Sequence, residues 1–202
     1  MTKVIAVACA KGGCSKTTTS MNLAGILHRW GYPTVVLDAD NTGGATKWAM
    51  YVLQAGKQLG FSVTPVNKVT LDRRLIEQQY PDSWVFIDTP PSDTGIIDQA
   101  IGCADVTIIP TQPSTLDLTL AGETYRGTPN GIILLTRVKK NTILTKNALE
   151  DLDSDNVFRF QTTISERESI KQQPGTVDLD MQEYSSVAQE LVDFIKSTDK
   201  EA

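Results

Sequence analysis

The sequence predicts an α/β fold: a three-layer sandwich in which a mostly parallel, twisted sheet is flanked by helices. Short apolar runs alternate along the chain with longer segments in which apolar residues recur at helical spacing. Several of the apolar runs end in a glycine-rich segment or in an aspartate. This is typical of parallel strands whose carboxyl ends meet at one edge of a sheet and bind a ligand there.

The alternation assigns the elements in chain order. Strands are expected at Val4–Ala8, Pro33–Leu37, Phe61–Val66, Trp84–Ile87, Val106–Ile109 and Gly131–Leu135. Helices are expected at Thr17–Gly31, Thr46–Gln58, Val69–Gln79, Leu116–Tyr125, Ile143–Leu152 and Met181–Lys196. The apolar residues of the last helix recur at helical spacing, which favours packing against the core.

Length and composition indicate one globular domain over residues 1–202. The chain is 40% hydrophobic and 21% charged, and its net charge of −5 argues against a strongly basic nucleic-acid binder without excluding a local basic patch. No apolar run approaches membrane-spanning length and no signal-peptide pattern is present, so we expect a cytoplasmic protein. The three cysteines lack metal-ligand spacing and are expected to be buried or incidental thiols.

The most informative stretch follows the first strand. Gly12 and Gly13 precede Lys16, Thr17 and the start of a helix. Strand, glycine loop, Lys-Thr and helix is the order of a phosphate-binding loop, in which backbone N–H groups and the helix N-terminus surround phosphate oxygens. Lys16 is then expected to contact the β- and γ-phosphates. The Thr17 hydroxyl is expected to bind Mg²⁺.

A second lysine makes this motif more specific. The strict pattern G-x-x-x-x-G-K-[ST] has glycine where this chain has Ala10 and Ser15, so an ordinary strand-to-helix turn stays open on these grounds. With Lys11 included, however, the stretch KGGCSKTT resembles the deviant Walker A motif, K-G-G-x-G-K-[ST]-[ST], of the ParA/MinD family of ATPases. The resemblance implies nucleotide binding by Lys11, Gly12, Gly13, Cys14, Ser15, Lys16, Thr17 and Thr18. It also implies that Lys11 reaches the phosphates of the other subunit in an ATP-bound dimer. Ser15 is the one departure inside the motif: a Cβ atom there is expected to strain the loop or crowd the phosphates, and so to affect nucleotide affinity and turnover.

Aspartates follow two further strands. Asp38 and Asp40 come at the end of the second strand, and Asp88 ends the Trp84–Ile87 strand. Carboxylates at strand ends can hold the water shell of Mg²⁺ and orient an attacking water, although a solvated turn is the alternative for the first pair. The stretch LDADNTGGAT resembles the family motif D-x-D-P-Q-G-N-[AS]-[ST], which implies that Asp40 positions the hydrolytic water. By the same resemblance Thr17, Asp38 and Asp88 form the metal site, with Asp38 acting through another ligand and Asp88 through water.

The second half of the chain contains three weaker resemblances. The stretch from Ala104 to Asp117 resembles the ParA phrase A-D-x-x-[IL]-[IV]-P-x-Q-P-S-x-x-D, which lies near the nucleotide and the dimer face in that family; capping of a helix is the alternative for its last residues. In that family the base-contacting residues come from the end of the sixth strand, and the resemblance therefore implies Thr136 and Arg137 as candidates for adenine contact. Arg137 is equally compatible with a basic surface.

A candidate DNA interface comes next in the chain. The stretch TTISERE resembles the T-x-I-x-x-R segment of ParA proteins, in which the arginine contributes to sequence-independent DNA binding. The candidates for phosphate contact are Arg167, Lys171 and Arg159. The alternative is an ordinary mixed-charge surface, because Glu166 and Glu168 flank Arg167.

Through these motifs the chain is identified as a member of the ParA family, most similar to small plasmid-type members such as ParF. The resemblance implies a P-loop ATPase domain with ATP and Mg²⁺ as cofactors, weakly active without its partner. It implies a homodimer closed by ATP, nonspecific binding to double-stranded DNA on the nucleoid, and a centromere-binding ParB-type adaptor that stimulates hydrolysis.

Two other functions stay open. One is a MinD-like positioning ATPase on a membrane or protein surface. The mixed-charge end of the chain, Ser197–Ala202, argues against a membrane partner because it lacks a basic amphipathic anchor. The other is a nucleotide-binding switch with little hydrolysis, which the departures at Ser15 and Asn41 favour.

Overall fold

The structure, a computed structural model, describes residues 1–198 and contains one parallel sheet. Its strands are β1 (Lys3–Val7), β2 (Thr34–Asp38), β3 (Ser62–Pro65), β4 (Trp84–Asp88), β5 (Val106–Thr111) and β6 (Gly131–Leu135). They pair in the order β3-β2-β4-β1-β5-β6, and every pairing is parallel. Each predicted strand corresponds to one of these six. The predicted fold class, a mostly parallel sheet flanked by helices, is therefore confirmed.

Six of the eight helices in the described residues correspond to predicted helices, with differences at some ends, and two were not predicted. They are α1 (Lys16–Arg29), α2 (Gly44–Gln54), α3 (Arg73–Gln79), α4 (Thr94–Cys103), α5 (Thr115–Arg126), α6 (Ile143–Ser154), α7 (Glu168–Lys171) and α8 (Glu183–Thr198). Neither α4 nor α7 is among the predicted helices. The predicted start of α3 at Val69 is wrong: the Asp72 carboxylate accepts from the N–H groups of Arg74 and Leu75 and so caps the helix there. The last part of the mixed-charge tail, residues 199–202, lies outside the described residues.

The sheet is buried on both faces by alternate residues of its strands. Ile5 and Val7 belong to the apolar cluster that contains α1, α2 and α8, whereas Val4 and Ala6 belong to the cluster that contains α3 and α4. Each fully buried Leu, Ile or Val contributes about 1.5–3 kcal/mol. The Tyr184 hydroxyl of α8 is 3.0 Å from Thr19 Oγ1 of α1. This packing makes α1 a fixed base for the loop that precedes it.

Strand register brings the ends of three strands together. Asp88 of β4 lies opposite Val7 of β1 on one side and opposite Asp38 of β2 on the other. The loop after β1 therefore leaves the sheet beside two carboxylates, at the carboxyl edge where ligands bind in folds of this class. Among residues 1–198, no helix has the length and apolar character needed to cross a bilayer.

Candidate functional site

The loop between β1 and α1 is built around the ammonium group of Lys16. Its Nζ donates to the carbonyl oxygens of Cys9, at 3.1 Å, and Lys11, at 2.9 Å. The side chain is buried at the first position of α1. A buried cation beside a helix N-terminus attracts anions strongly, because both the charge and the helix dipole have the same sign. The backbone of residues 9–13 is thus curled around a positive centre, as phosphate binding requires.

Ser15 occupies a backbone conformation that favours glycine. Its φ is 77°, in the left-handed region, and it is the residue immediately before α1. Such a conformation costs a residue with a Cβ atom roughly 1–2 kcal/mol. The carbonyl of Ser15 nevertheless accepts from Thr19 N at 2.9 Å, so the first helical turn is formed. Having serine where the deviant Walker A motif has glycine therefore strains the backbone of the loop at this residue.

Lys11 is bound within its own subunit. Its ammonium forms an ion pair with the Asp117 carboxylate of α5, which is almost fully buried, while the Lys11 side chain is about one-third exposed. Ser114 caps the same helix, its hydroxyl accepting from Asp117 N at 3.2 Å. The capping alternative for this segment is correct, and Asp117 has in addition the role of holding Lys11.

Three aspartates surround the start of α1. Asp88 Oδ2 accepts from the Thr17 hydroxyl at 2.7 Å. Asp38 Oδ2 accepts from both the N–H and the hydroxyl of Thr46, each at 2.7 Å, and its Oδ1 accepts from Asp40 N at 3.2 Å. Asp38 thus positions the loop that carries Asp40, and Thr46 is its main partner. The sequence analysis did not single out Thr46, although this threonine is the last residue of the LDADNTGGAT stretch and could have been identified from that motif.

The environment of Asp88 disfavours its charge. Burial, together with the negative charges of Asp38 and Asp40, raises the pKa of Asp88 to about 7, against the lowering effects of the Thr17 hydrogen bond and the charge of Lys16. In the described part of the chain, Asp88 Oδ1 accepts only a long hydrogen bond from the Ser20 hydroxyl, at 3.4 Å, so a cation bound beside this carboxylate would stabilise its charged form. Hydroxyl and carboxylate oxygens are the ligands that Mg²⁺ prefers.

The site therefore fits a magnesium ion that takes most of its ligands from water and from a bound phosphate chain. Among residues 1–198, no group of three or more His, Cys, Asp or Glu side chains is placed to hold a metal ion alone. Mg²⁺ commonly binds one or two protein groups and completes its shell with water and substrate phosphates. Thr17 and Asp88 would hold it here, with Asp38 behind them.

Two cavities meet at the loop. One, of about 240 Å³, is lined by Gly12, Gly13 and residues 15–18 together with Asp40, Pro91 and Arg137. The other, of about 190 Å³, lies toward the Ile164–Pro174 segment. They share Ser15, Thr18 and Arg137 in their walls. A polar cavity next to a more apolar one suits a ligand with a phosphate chain at one end and a flat base at the other.

The two candidates for adenine contact are placed differently. Arg137 is exposed, has φ of 52° and lies in the wall common to both cavities. Thr136 is fully buried, and its hydroxyl donates to the carbonyls of Cys14, at 3.3 Å, and Thr111, at 3.2 Å. Thr136 therefore fixes the phosphate loop to β5 and does not line either cavity. Of the pair, only Arg137 is placed to meet a base.

The three candidates for DNA contact are all engaged in ion pairs. Arg159 holds Asp153 through two hydrogen bonds of 2.8 and 3.0 Å, and its side chain is only 11% exposed. Arg167 pairs with Asp180 and Glu183 and lines the smaller cavity. Lys171 pairs with Glu166 at 3.1 Å but is 48% exposed. Lys171 is thus the most accessible of the three.

Replacement of Ser15 by glycine is predicted to relieve the backbone strain. The left-handed conformation costs glycine nothing, although the greater entropy of glycine in the unfolded chain offsets part of the gain. We expect Ser15→Gly to increase the free energy of unfolding by up to about 1 kcal/mol and to increase nucleotide affinity. Ser15→Ala is the control, because it keeps the Cβ atom and removes only the hydroxyl. Equal stability of the two variants in denaturant titrations would contradict the strain.

Asp88 is predicted to make stability depend on pH. The folded-state pKa of about 7 lies above the ordinary 3.8, so the unfolded chain ionises first as pH rises and the folded state loses stability up to about pH 7. In magnesium-free buffer at pH 8, Asp88→Asn should raise the thermal midpoint by several degrees, as expected for ~1 kcal/mol or more. The difference from the parent chain should shrink toward pH 5. Asp98→Asn, an exposed change on α4, is the control; a difference that does not vary with pH would refute the assignment.

Comparisons with known proteins agree with this site. Residues 5–179 match the family model described as the CobQ/CobB/MinD/ParA nucleotide binding domain. The chain is 35% identical over 147 residues to "Maintenance of carboxysome distribution protein A" of Gloeobacter kilaueensis, covering 70% of this chain and 66% of that protein. It is 29% identical over 126 residues to "Protein ParA" of Rhizobium radiobacter, covering 61% of this chain and 54% of that protein.

Fold similarity to solved structures is extensive at low sequence identity. A plasmid partition protein of Borrelia burgdorferi, bound to AMPPNP, superposes with a TM-score of 0.74 at 21% identity, covering 98% of this chain and all of that one. The matches to the two curated relatives, by contrast, span about two thirds and about half of those proteins. The family match covers most of the chain and includes the loop, the three aspartates and Asp117. This chain belongs to the CobQ/CobB/MinD/ParA family of nucleotide-binding domains.

Proposed function

We propose that this chain is an ATP-dependent DNA partition protein of the small plasmid type, with residues 1–202 acting as one P-loop ATPase domain. Mg-ATP closes a homodimer that binds double-stranded DNA without sequence preference and so associates with the nucleoid. A centromere-binding adaptor of the ParB type stimulates hydrolysis, which is weak without it, and hydrolysis releases the DNA. The proposal places no membrane among the partners.

The arrangement of the two lysines is the observation that carries the proposal. Lys16 is buried under the phosphate loop with two carbonyl oxygens as partners. Lys11, five residues earlier, is partly exposed at the rim and held by Asp117. One lysine is thus fixed to serve its own nucleotide. The other is attached by a single ion pair that an incoming phosphate can replace.

Each side chain of the site would have a separate role in hydrolysis. Bound Mg-ATP would supply the phosphoryl group and a divalent charge between Thr17 and Asp88. Lys16 neutralises the phosphate chain, and Asp40, in the wall of the larger cavity, orients the attacking water. Lys11 of one subunit places positive charge on the phosphates of the other. Positioning and charge neutralisation of this kind are the main contributions of a protein to phosphoryl transfer.

DNA contact would come from the surface around the smaller cavity, because Arg167 and Lys171 are part of its wall. Lys171 is the most exposed of the candidates there, while Arg167 and Arg159 would have to exchange carboxylate partners for DNA phosphates. Such exchange is salt-dependent, since each contact replaces condensed cations on the DNA. With a net charge of −5, the subunit is expected to bind DNA only when a dimer doubles the contacts.

A positioning ATPase with a protein cargo is the second candidate. The 35% identical relative is named for carboxysome distribution, and the family description includes MinD. On this alternative, the adaptor joins the ATPase to a protein assembly or another surface in place of a centromere. A switch that binds nucleotide with little hydrolysis is the third, favoured by the strain at Ser15.

The proposal is tested by DNA binding and turnover measured together. ATP hydrolysis is followed with and without nonspecific double-stranded DNA, and gel shifts are run in ADP and in ATP at low salt. We expect a shift in ATP alone, weakened by Lys171→Ala and by added salt. Hydrolysis with no DNA binding in either nucleotide would favour the positioning alternative. Tight ATP binding without hydrolysis would favour the switch.

Removal of Lys11 is predicted to separate nucleotide binding from turnover. Lys11→Ala leaves Lys16 and the loop in place, so the variant should bind ATP but lose hydrolysis by ~10²-fold or more and lose ATP-dependent dimerisation. Lys146→Ala, an exposed change on α6, is the control. Turnover at the parent rate in Lys11→Ala would remove the assignment.

The ion pair offers a complementary variant. Asp117→Asn keeps the size of the side chain but weakens its hold on Lys11. Because dimer closure requires the release of Lys11, this variant should dimerise at a lower ATP concentration than the parent chain, as measured by light scattering. A loss of dimers as complete as in Lys11→Ala would show that the ion pair itself is required.

A further inference from the structure

Asn22 is a fully buried polar residue of α1 that belongs to none of the motifs described above. Its Nδ2 donates to the Thr18 carbonyl at 2.9 Å and to the side-chain oxygen of Gln173, also at 2.9 Å. Its Oδ1 accepts from Asp180 N at 2.7 Å. One amide group therefore connects the helix that follows the phosphate loop with a segment that begins 151 residues later in the chain.

That segment, residues 172–182 between α7 and α8, contains no helix or strand. Besides its two hydrogen bonds with the amide of α1, it accepts a bond of 2.7 Å at the Thr176 carbonyl from Trp48 Nε1 of α2. Leu179 packs so closely on Gly25 of α1 that a Cβ atom at the glycine would lie 2.7 Å from it. Because the segment has no ladder or helical hydrogen bonds of its own, these contacts determine its position.

The smaller cavity is lined by residues that this amide holds. Thr18, whose carbonyl accepts from it, is part of the wall. So is Pro174, which directly follows Gln173 in the chain. Asp180, whose N–H the amide accepts, pairs through its carboxylate with Arg167, a third residue of the wall. The amide thus sets the position of several parts of the wall relative to α1.

We propose that Asn22 is a positioning residue for the base of the bound nucleotide, because its amide fixes the wall of the smaller cavity relative to the phosphate loop. The inference rests on the proposed function, since it takes the ligand to be a nucleotide with its phosphates in the larger cavity and its base in the smaller one. Asn22 itself lines neither cavity. It acts through Gln173 and Asp180 without touching the ligand.

Loss of the amide affects the base and the phosphates differently. Asp180 N and the Gln173 oxygen would each lose a buried partner, which is unfavourable, so the segment would shift to regain one. Contacts with a flat base depend on close packing and are lost when the wall shifts. Attraction between Lys16 and the phosphates falls off slowly with distance and does not involve the segment.

Two ligands that share a phosphate chain and differ in the base test this division. The full chain is titrated by calorimetry with the magnesium complexes of AMPPNP and of tripolyphosphate. Asn22→Leu keeps the approximate size of the side chain and removes its hydrogen bonds, so the Kd for AMPPNP should rise by about tenfold. The Kd for tripolyphosphate should change by less than about twofold. An equal rise for both ligands would assign Asn22 to support of the fold alone and overturn the inference, as would an unchanged Kd for AMPPNP.

Two further variants make the result specific. Thr2→Val is the control: it also removes a long-range hydrogen bond of a buried side chain, from the Thr2 hydroxyl to the Tyr80 carbonyl at 2.8 Å, but at the opposite edge of the sheet. It should leave both Kd values unchanged. If Asn22→Leu shows no cooperative thermal transition, Gln173→Leu decides, because it removes only one contact of the amide. It should raise the Kd for AMPPNP alone, by a smaller factor; any other result would overturn the inference.

The parent chain separates failure of this inference from failure of the proposed function. We expect it to bind AMPPNP more tightly than tripolyphosphate. Equal affinity for the two ligands would mean that no base is held, which overturns the inference and leaves the phosphate site in place. Binding of neither ligand would overturn the proposed function, and the inference with it.

Discussion

The buried ammonium group of Lys16 is the interaction on which the site depends. Its two hydrogen bonds to the carbonyls of Cys9 and Lys11 hold the loop in a curl around a positive charge. Lys16 thus has carbonyl dipoles as its oxygen partners, while the charged form of nearby Asp88 is disfavoured, because burial raises the pKa of that carboxyl. The loop is therefore folded around a positive charge before any nucleotide binds. A phosphate chain would neutralise Lys16, and its metal ion would stabilise the charged form of Asp88.

On the proposed function, the two lysines allow one motif to serve two subunits. Lys16 is held in place because its side chain is buried and its ammonium group donates to two carbonyl oxygens. Lys11 is held by one carboxylate at the rim, so its present partner competes with any phosphate that approaches. Asp117 is supplied by the first turn of α5, after β5. The dimerisation that we propose would therefore require Lys11 to exchange its one ion pair for a phosphate of the other subunit.

The features that depend on a few neighbouring residues could be predicted from the sequence, whereas contacts between residues far apart along the chain could not. The six strands, the loop and the three aspartates were predictable because each is encoded within a few residues and parallel strands bring their ends to one edge. The Lys11–Asp117 ion pair spans 106 residues and the Thr136–Cys14 hydrogen bond spans 122. No pattern within a window of helix or strand length reports on such pairs. The same reason explains why Arg167, expected on a DNA surface, lies in a cavity wall held by Asp180 and Glu183 of the chain end.

Proton release on nucleotide binding tests the central claim that this edge of the sheet is a Mg-nucleotide site. Titration calorimetry of a preformed magnesium complex of a nonhydrolysable ATP analogue, in buffers of different ionisation enthalpy, gives the number of protons exchanged. With the pKa of Asp88 at about 7, binding at pH 7 should release about half a proton, and almost none at pH 8.5. Asp88→Asn should release none from this group at either pH. Binding that neither needs magnesium nor releases protons at pH 7 would contradict the account.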